Sequence, residues 1–295
     1  MRLALVTGAC GFLGSHLVES LLADGFAVRG LDDGTTGRLG NLAAVRDRVE
    51  LLDADVRDRA ALARATAGAE LVFHLAARGV VEGDPGRALD GHAVNAAGTL
   101  SVLEAARVAG VRRVVHASSW RVYGDRSDRP LDETLEPRPD SAYAVQKLCG
   151  EVYCALYHRL HALETVSLRY FPVFGPRQRP DDGYAAGVLT LARARARGEA
   201  PSPGLPDATA ATDLVFVSDA VRATRLAGES ERAVGAVVNV GSGRPAGPAG
   251  RPVVADPSRA RERLGFEAAV SVEAGLERTV AWLRATERAG GEGER

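Results

Sequence analysis

Leu3-Ala4-Leu5-Val6-Thr7-Gly8-Ala9-Cys10-Gly11-Phe12-Leu13-Gly14 opens the chain with a short apolar run, a glycine turn and the start of a helical pattern. The run reads as a buried strand over residues 3–7, and the periodicity after it predicts a helix over 12–24. Gly8, Gly11 and Gly14 allow a tight turn, a close approach of backbone to a pyrophosphate, and close packing of helix on strand. Unpaired N–H groups and the positive end of the helix dipole then face the phosphates, so Phe12 and Leu13 join the expected contacts. Glycine triplets alone are weak evidence; the strand before this one and the helix after it supply the context.

Working outward, the second strand, 27–32, ends in Asp32. A carboxylate there accepts hydrogen bonds from an adenosine ribose and repels a 2′-phosphate, which favours NAD over NADP. Asp33 either shares that role or begins the turn Asp32-Asp33-Gly34. Asp55-Val56, after a third strand at 49–53, either holds the adenine edge or caps the following helix. Further strands read at 71–75, 114–118 and 165–170, with helices at 57–66, 93–109 and 143–161. Strand–helix alternation of this kind predicts an α/β fold, a doubly wound parallel sheet covered on both faces.

Beyond residue 172 the alternation breaks. Gly175-Pro176, Arg179-Pro180 and the proline-bearing stretch 200–211 read as loops. A helix at 187–197, a strand at 214–217, a helix at 218–226, a strand at 237–240 and a last helix at 272–284 follow, with a Gly/Pro-rich connector at 241–250. The expected organisation is a dinucleotide-binding domain over 1–171, a smaller substrate lobe over 172–285 with some elements returning to the sheet, and a frayed tail over 286–295.

Composition narrows the partners. A net charge of −1 over 295 residues leaves no basic field for nucleic acid and no polybasic stretch for a membrane. No segment reaches the ~18 apolar residues of a membrane span. Three cysteines, Cys10, Cys149 and Cys154, show no metal-ligand spacing, so no metal is expected, and their odd number fits a reducing cytoplasm. Of 37 basic residues only Lys147 is lysine. Lysine is a compact ammonium that fits under a phenol or against a ribose, so the sole lysine is a candidate for chemistry.

Tyr143 stands four residues before Lys147 on a predicted helix, so both project from one face. Ser119 follows the 114–118 strand, at the edge where ligands of a doubly wound sheet collect. A phenol with an ordinary pKa near ~10 is a poor base at neutral pH. A nearby ammonium stabilises the phenolate, and a serine can hydrogen-bond an oxygen that shifts between alcohol and ketone. The three together are expected to oxidise a hydroxyl.

Thr7-Gly8-Ala9-Cys10-Gly11-Phe12-Leu13-Gly14-Ser15-His16, His74-Leu75-Ala76-Ala77, Asn95-Ala96-Ala97-Gly98-Thr99, Ser118-Ser119-Trp120-Arg121-Val122-Tyr123-Gly124 and Tyr143-Ala144-Val145-Gln146-Lys147 resemble the extended short-chain dehydrogenase/reductase family. Within it they look most like the sugar-nucleotide epimerases and dehydratases. Similarity continues through Arg169-Tyr170-Phe171, Gly175-Pro176-Arg177-Gln178 and Asp256-Pro257-Ser258, so it spans nearly the whole chain. The resemblance implies a tightly held NAD, catalysis by Ser119, Tyr143 and Lys147, and Asn95 and Tyr170 near the cofactor. It also implies a homodimer built on the 93–109 and 143–161 helices. Leu75, Ala76, Ala77 and Ala117 complete the expected cofactor contacts.

Dehydratases of the family carry an Asp-Glu pair just after the serine; here Trp120-Arg121 stand there, and neither does carboxylate acid–base work. That leaves 4-epimerisation of a nucleotide sugar as the expected reaction. Pro172 stands where the family has asparagine or threonine, Thr212 where it has arginine, and the segment 243–254 is short, with Arg244 or Arg251 only loosely in place of a further arginine. The stretch Arg177-Gln178-Arg179-Pro180-Asp181 resembles UDP-glucuronate 4-epimerases, so Arg179, helped by Arg121, is expected to hold a sugar carboxylate through a bidentate pair. Trp120 and Pro172 are expected to line the sugar site. The other readings are UDP-glucose or UDP-N-acetylhexosamine 4-epimerisation, dehydration or decarboxylation, and a dehydrogenase that exchanges NAD each turnover. A non-catalytic NAD sensor is expected to lack members of the trio, and all three are present.

Overall fold

The computed structural model describes residues 2–79, 85–126, 129–179, 186–200, 212–245 and 253–292. The first part of the chain runs β1 (Leu3–Thr7), α1 (Phe12–Ala23), β2 (Ala27–Asp32), β3 (Val49–Asp53), α2 (Arg59–Thr66), β4 (Leu71–His74), α3 (Pro85–His92), α4 (Thr99–Val108), β5 (Arg113–Ser119), α5 (Ala142–His161) and β6 (Glu164–Tyr170). It continues through β7 (Val173–Phe174), α6 (Ala186–Arg197), β8 (Val215–Phe216), α7 (Val217–Glu229), β9 (Val237–Val240), α8 (Ser258–Leu264) and α9 (Val272–Glu292).

Seven strands form one sheet in the order β3-β2-β1-β4-β5-β6-β9, with every ladder parallel. The order reverses between β1 and β4, and that switch point is where such sheets bind ligands. Strands covered on both faces need near-continuous apolar runs. β1 and β4 meet that need with Ala4, Leu5, Val6, Leu71, Val72 and Phe73, all essentially inaccessible. One face packs under α1 and α7, where Leu17, Val18 and Leu21 meet Val221 and Ala227; the other packs under α2, α4 and α5 around Leu62, Val102 and Leu103.

Several elements differ from the sequence reading. The helix expected over 93–109 is one wide turn of π-helix, Ala93–Gly98, running into α4. Asn95 sits in that turn. The expected cap Asp55 does not cap α2: Asp58 does, accepting from Ala60 and Ala61 N–H, while Asp55 grips the Arg57 guanidinium. Val217, expected as strand, begins α7. A 3₁₀ stretch (Leu39–Arg48), α3, a 3₁₀ turn (Trp120–Tyr123), β7 and its pairing with β8, and α8 were not anticipated. Residues 201–211 of the expected 200–211 loop, residues 246–250 of the 241–250 connector, Pro180, Asp181 and Arg251 lie outside the described residues.

β5 begins with a fully buried charge. Arg113 pairs with Glu164 and Glu231 at 2.8 and 2.9 Å and donates to the Ala227 and Ser230 carbonyls, tying the end of α7 to the sheet. Such a charge is tolerated only because every donor has a partner.

Candidate active site

At the switch point lies a cavity of about 320 Å³. Gly8, Gly11, Phe12, Leu13, Gly14, Asp32, Asp33, Asp55, Val56, Leu75, Ala76, Ala77, Ala117 and Tyr143, all named from the sequence, line it. Its glycines are there for space. A Cβ on Gly14 would lie 1.9 Å from the Gly8 carbonyl oxygen, and one on Gly8, whose φ is +71°, 2.8 Å from the Ala76 nitrogen. The cradle therefore closes backbone on backbone, leaving the N-terminus of α1 open for a phosphate.

Asp32 accepts from the Cys10 N–H at 2.8 Å and the Gly34 N–H at 2.9 Å. Burial pushes its carboxyl above the usual range, and those two N–H groups pull it back. The side chain is thus aimed by the turn it belongs to. A cradle that only glycine fits, an acid at the end of β2 and a cavity of this size suit a dinucleotide.

The groups expected from the sequence to react come from β5 and α5. Ser119 is the last residue of β5 and caps the following 3₁₀ turn, its Oγ accepting from the Arg121 N–H at 3.3 Å. Ser141 caps α5, so the helix starts immediately before Tyr143. One turn on, Lys147 is buried and donates to the Ala117 carbonyl at 2.8 Å, with its Nζ 5.7 Å from the centre of the Tyr143 ring. Desolvation lowers its ammonium to about 8. The hydrogen bond to Ala117 thus fixes the helix residue against the strand that ends in Ser119.

A polar layer lies behind this. His74 bridges Thr7 and Thr99 at 2.8 and 2.9 Å, and burial holds it down to about 3, so it is a neutral spacer. Asn95 does not line the cavity. It accepts from the Arg78 N–H and donates to the Arg78 carbonyl and to Gln146, bracing the loop after β4 against α5. Tyr170 also stands off the wall, its hydroxyl 2.6 Å from that of Thr224.

The residues expected at the sugar separate into two places. Trp120 is buried and stacks on Phe171 with ring centres 6.2 Å apart. Arg121 lies over the Trp120 ring and pairs with Asp140 at 3.0 Å. Pro172 is buried between β6 and β7, its carbonyl accepting from Val215. Arg179 is elsewhere: it lines the dinucleotide cavity and donates to the Thr36 carbonyl at 3.0 Å. The sequence reading passed over Leu31, Thr35, Thr36, Ala54, Arg78 and Val94, which also line that cavity. Thr35 and Thr36 follow the Asp32-Asp33-Gly34 turn, a signal that would have found them. Among the described residues no cluster of His, Cys, Asp or Glu is arranged to hold a metal ion, and no helix is long and apolar enough to cross a membrane.

Residues 4–241 match the model of the NAD dependent epimerase/dehydratase family. A UDP-glucose 4-epimerase of Mycolicibacterium smegmatis is 37% identical over 95% of this chain and 98% of its own. The crystal structure of a Thermotoga maritima UDP-glucose 4-epimerase with UDP-glucose superposes with a TM-score of 0.85 at 30% identity, covering 97% of this chain and 99% of that one. A Bacillus cereus UDP-glucuronic acid 4-epimerase, solved with UDP-glucuronic acid and NAD, gives 0.83 at 28% identity, covering 97% and 100%.

Proposed function

The chain belongs to the NAD-dependent epimerase/dehydratase family, whose sugar-nucleotide 4-epimerases are among its close relatives and structural neighbours, and on that premise we propose that it inverts C4 of a UDP-hexose. One observation carries the choice among the family's reactions. Trp120-Arg121 follow Ser119, with Trp120 packed on Phe171 and Arg121 tied to Asp140, so no carboxylate of that turn is available to expel a hydroxyl. Epimerisation needs only the trio.

Tyr143 takes the proton from the sugar O4 and later returns it. Lys147, held by the Ala117 carbonyl, keeps a cation beside the phenol and favours its ionised form. Ser119 hydrogen-bonds the same sugar oxygen and follows it from alcohol to ketone. NAD, when bound, would supply the hydride acceptor and donor for C4, and the keto sugar would have to turn its other face toward it before the hydride returns. Gly8, Gly11, Phe12, Leu13 and Gly14 hold its pyrophosphate, Asp32 its adenosine ribose, and Asp55 and Val56 the adenine side.

UDP-glucose is the leading substrate, because Arg179, the group expected to bind a sugar carboxylate, is drawn to Thr36 on the cofactor side. UDP-glucuronate is the second reading. Arg121, a cation two residues from Ser119, favours it. Incubation of the protein with each UDP-sugar, followed by NMR of the products, decides between them. UDP-galactose formed without net NADH is the expected result; a 4-keto-6-deoxy sugar would remove the epimerase assignment.

The working form is a homodimer in this reading. On α5, Val145, Val152 and Leu160 are 46, 60 and 62% exposed on one helical face, beside Val108 of α4 at 71%. In the 93–109 segment Ala96, Leu103 and Ala106 are buried and leave no surface for a partner. Val152→Arg is expected to yield monomers by light scattering where the parent chain yields dimers.

A further inference from the structure

Residues 175–179 leave the small β7–β8 sheet and cross to the cofactor cavity, where four hydrogen bonds fasten them. The Pro176 carbonyl lies 3.0 Å from His16 Nε2; a carbonyl only accepts, so that nitrogen carries the proton. Arg177 donates through Nη2 to Glu19 at 2.6 Å and through Nη1 to the Ser15 hydroxyl at 3.3 Å. Arg179 donates to the Thr36 carbonyl and lines the cavity.

These anchors share a logic. Ser15, His16 and Glu19 lie on the first two turns of α1, the helix whose N-terminus faces the pyrophosphate, and Ser15 and Glu19 are one turn apart on one face. Thr36 belongs to the loop that follows the ribose-binding Asp32. The strap thus joins the two segments that border the dinucleotide on its phosphate and adenosine sides. Arg177 also holds φ at +69°, a left-handed conformation that an L side chain adopts at a cost. The Arg177 side-chain contacts are what offset that cost. The Arg177–Glu19 pair is partly buried, with side chains 18 and 31% exposed, so salt screens it less than a surface pair.

We propose that Arg177 and Glu19 are a clasp that fastens this strap over the cofactor and sets how fast NAD leaves, and that Arg179 is a cofactor-facing cation. The Arg177–Glu19 contact acts through the position of the strap and touches no reacting atom. Its purpose follows from the reaction class: a hydride that is borrowed and returned requires the same dinucleotide to stay through the turnover.

The test is the rate of NADH release, read by the loss of its fluorescence when the loaded protein is chased with excess NAD, with no sugar present. Glycine adopts φ near +69° without cost, so Arg177→Gly deletes the cation and leaves the backbone conformation accessible. Arg177→Gly and Glu19→Gln are each expected to speed release roughly tenfold, the range of a hydrogen bond to a charged group. The double variant is expected to release no faster than either single one, because both remove one contact. Glu273→Gln, which breaks the Arg195–Glu273 surface pair far from the cavity, is expected to leave release unchanged. Arg179→Ala is expected to weaken NADH binding several-fold in the same assay. Unchanged release in Glu19→Gln, or additive effects in the double variant, overturns the clasp. Unchanged affinity in Arg179→Ala overturns its assignment to the cofactor. Circular dichroism identifies a variant that fails to fold, in which case Glu19→Gln decides.

Discussion

Glu151 and Arg169 face each other across α5 and β6 with both carboxylate oxygens engaged, at 2.9 and 2.7 Å, and neither side chain is more than 5% exposed. Glu151 is one helical turn beyond Lys147, and it also accepts from Ser118, the neighbour of Ser119. Arg169 in turn lies 4.6 Å over the Tyr123 ring. The pair therefore clamps the strand end and the helix that carry the trio.

Removing one partner leaves a buried charge alone, which costs about 3–5 kcal/mol, whereas replacing both with apolar groups is often neutral. Glu151→Ala should unfold at markedly lower urea than the parent protein. Glu151→Leu combined with Arg169→Met should recover much of that loss. A double variant less stable than either single one would show that the pair is not the dominant interaction there.

The glycine turn gives a ranking. An added Cβ meets backbone at 1.9 Å for Gly14, 2.8 Å for Gly8 and 3.1 Å for Gly11. Backbone cannot swing aside as a side chain can. NADH titration should show binding lost in Gly14→Ala, severely weakened in Gly8→Ala, where φ of +71° adds strain, and only reduced in Gly11→Ala.

Lys147 predicts a pH dependence with a definite sign. Burial lowers its ammonium from the ordinary 10.5 to about 8, so between those values the unfolded chain holds a proton that the folded one does not. Stability must then rise with pH across that window, by at most about 3 kcal/mol. Below pH 8 the folded protein carries the full cost of the buried cation. In protein stripped of cofactor, the parent chain should gain stability from pH 8 to 10 relative to Lys147→Met; parallel curves would rule this out. Tyr143→Phe should keep NAD binding and lose ~10²–10⁴ in rate, the usual worth of proton transfer by a side chain.

In the proposed binding mode Asp32 selects the dinucleotide. Its carboxylate is fixed by Cys10 and Gly34 at the end of β2, where a 2′-phosphate would sit. Calorimetry should find NADH binding and NADPH not. Tight NADPH binding would mean that another residue selects the cofactor.

The sheet and its glycine cradle were legible because both impose simple patterns. Strands covered on both faces must be apolar throughout, and a turn that closes backbone on backbone must be glycine. What escaped reading is mostly polar. Arg113 is wholly inaccessible at the start of β5, and Glu151, Arg169 and His74 sit buried among apolar neighbours. Each is paid for by partners from distant parts of the chain, which no local window reveals. The π-turn at Ala93–Gly98 keeps a helical pattern in its residues, so its different pitch is equally hidden. Arg179 is expected from the sequence at the sugar, yet it turns to Thr36, 143 residues away, a contact no local window reveals.

The outermost strand beside β6 is β9, supplied by residues that come more than sixty positions after β6 ends, its Val237–Val240 pairing with Ser167–Tyr170. The chain leaves the sheet at Tyr170, builds β7, β8 and α7, and only then returns to finish the edge. The two halves of the molecule are therefore interleaved rather than strung in series. Neither can be exchanged as a cassette with a relative's half without orphaning a strand. Retargeting such a protein to a new sugar has to proceed loop by loop, inside a frame that stays in one piece.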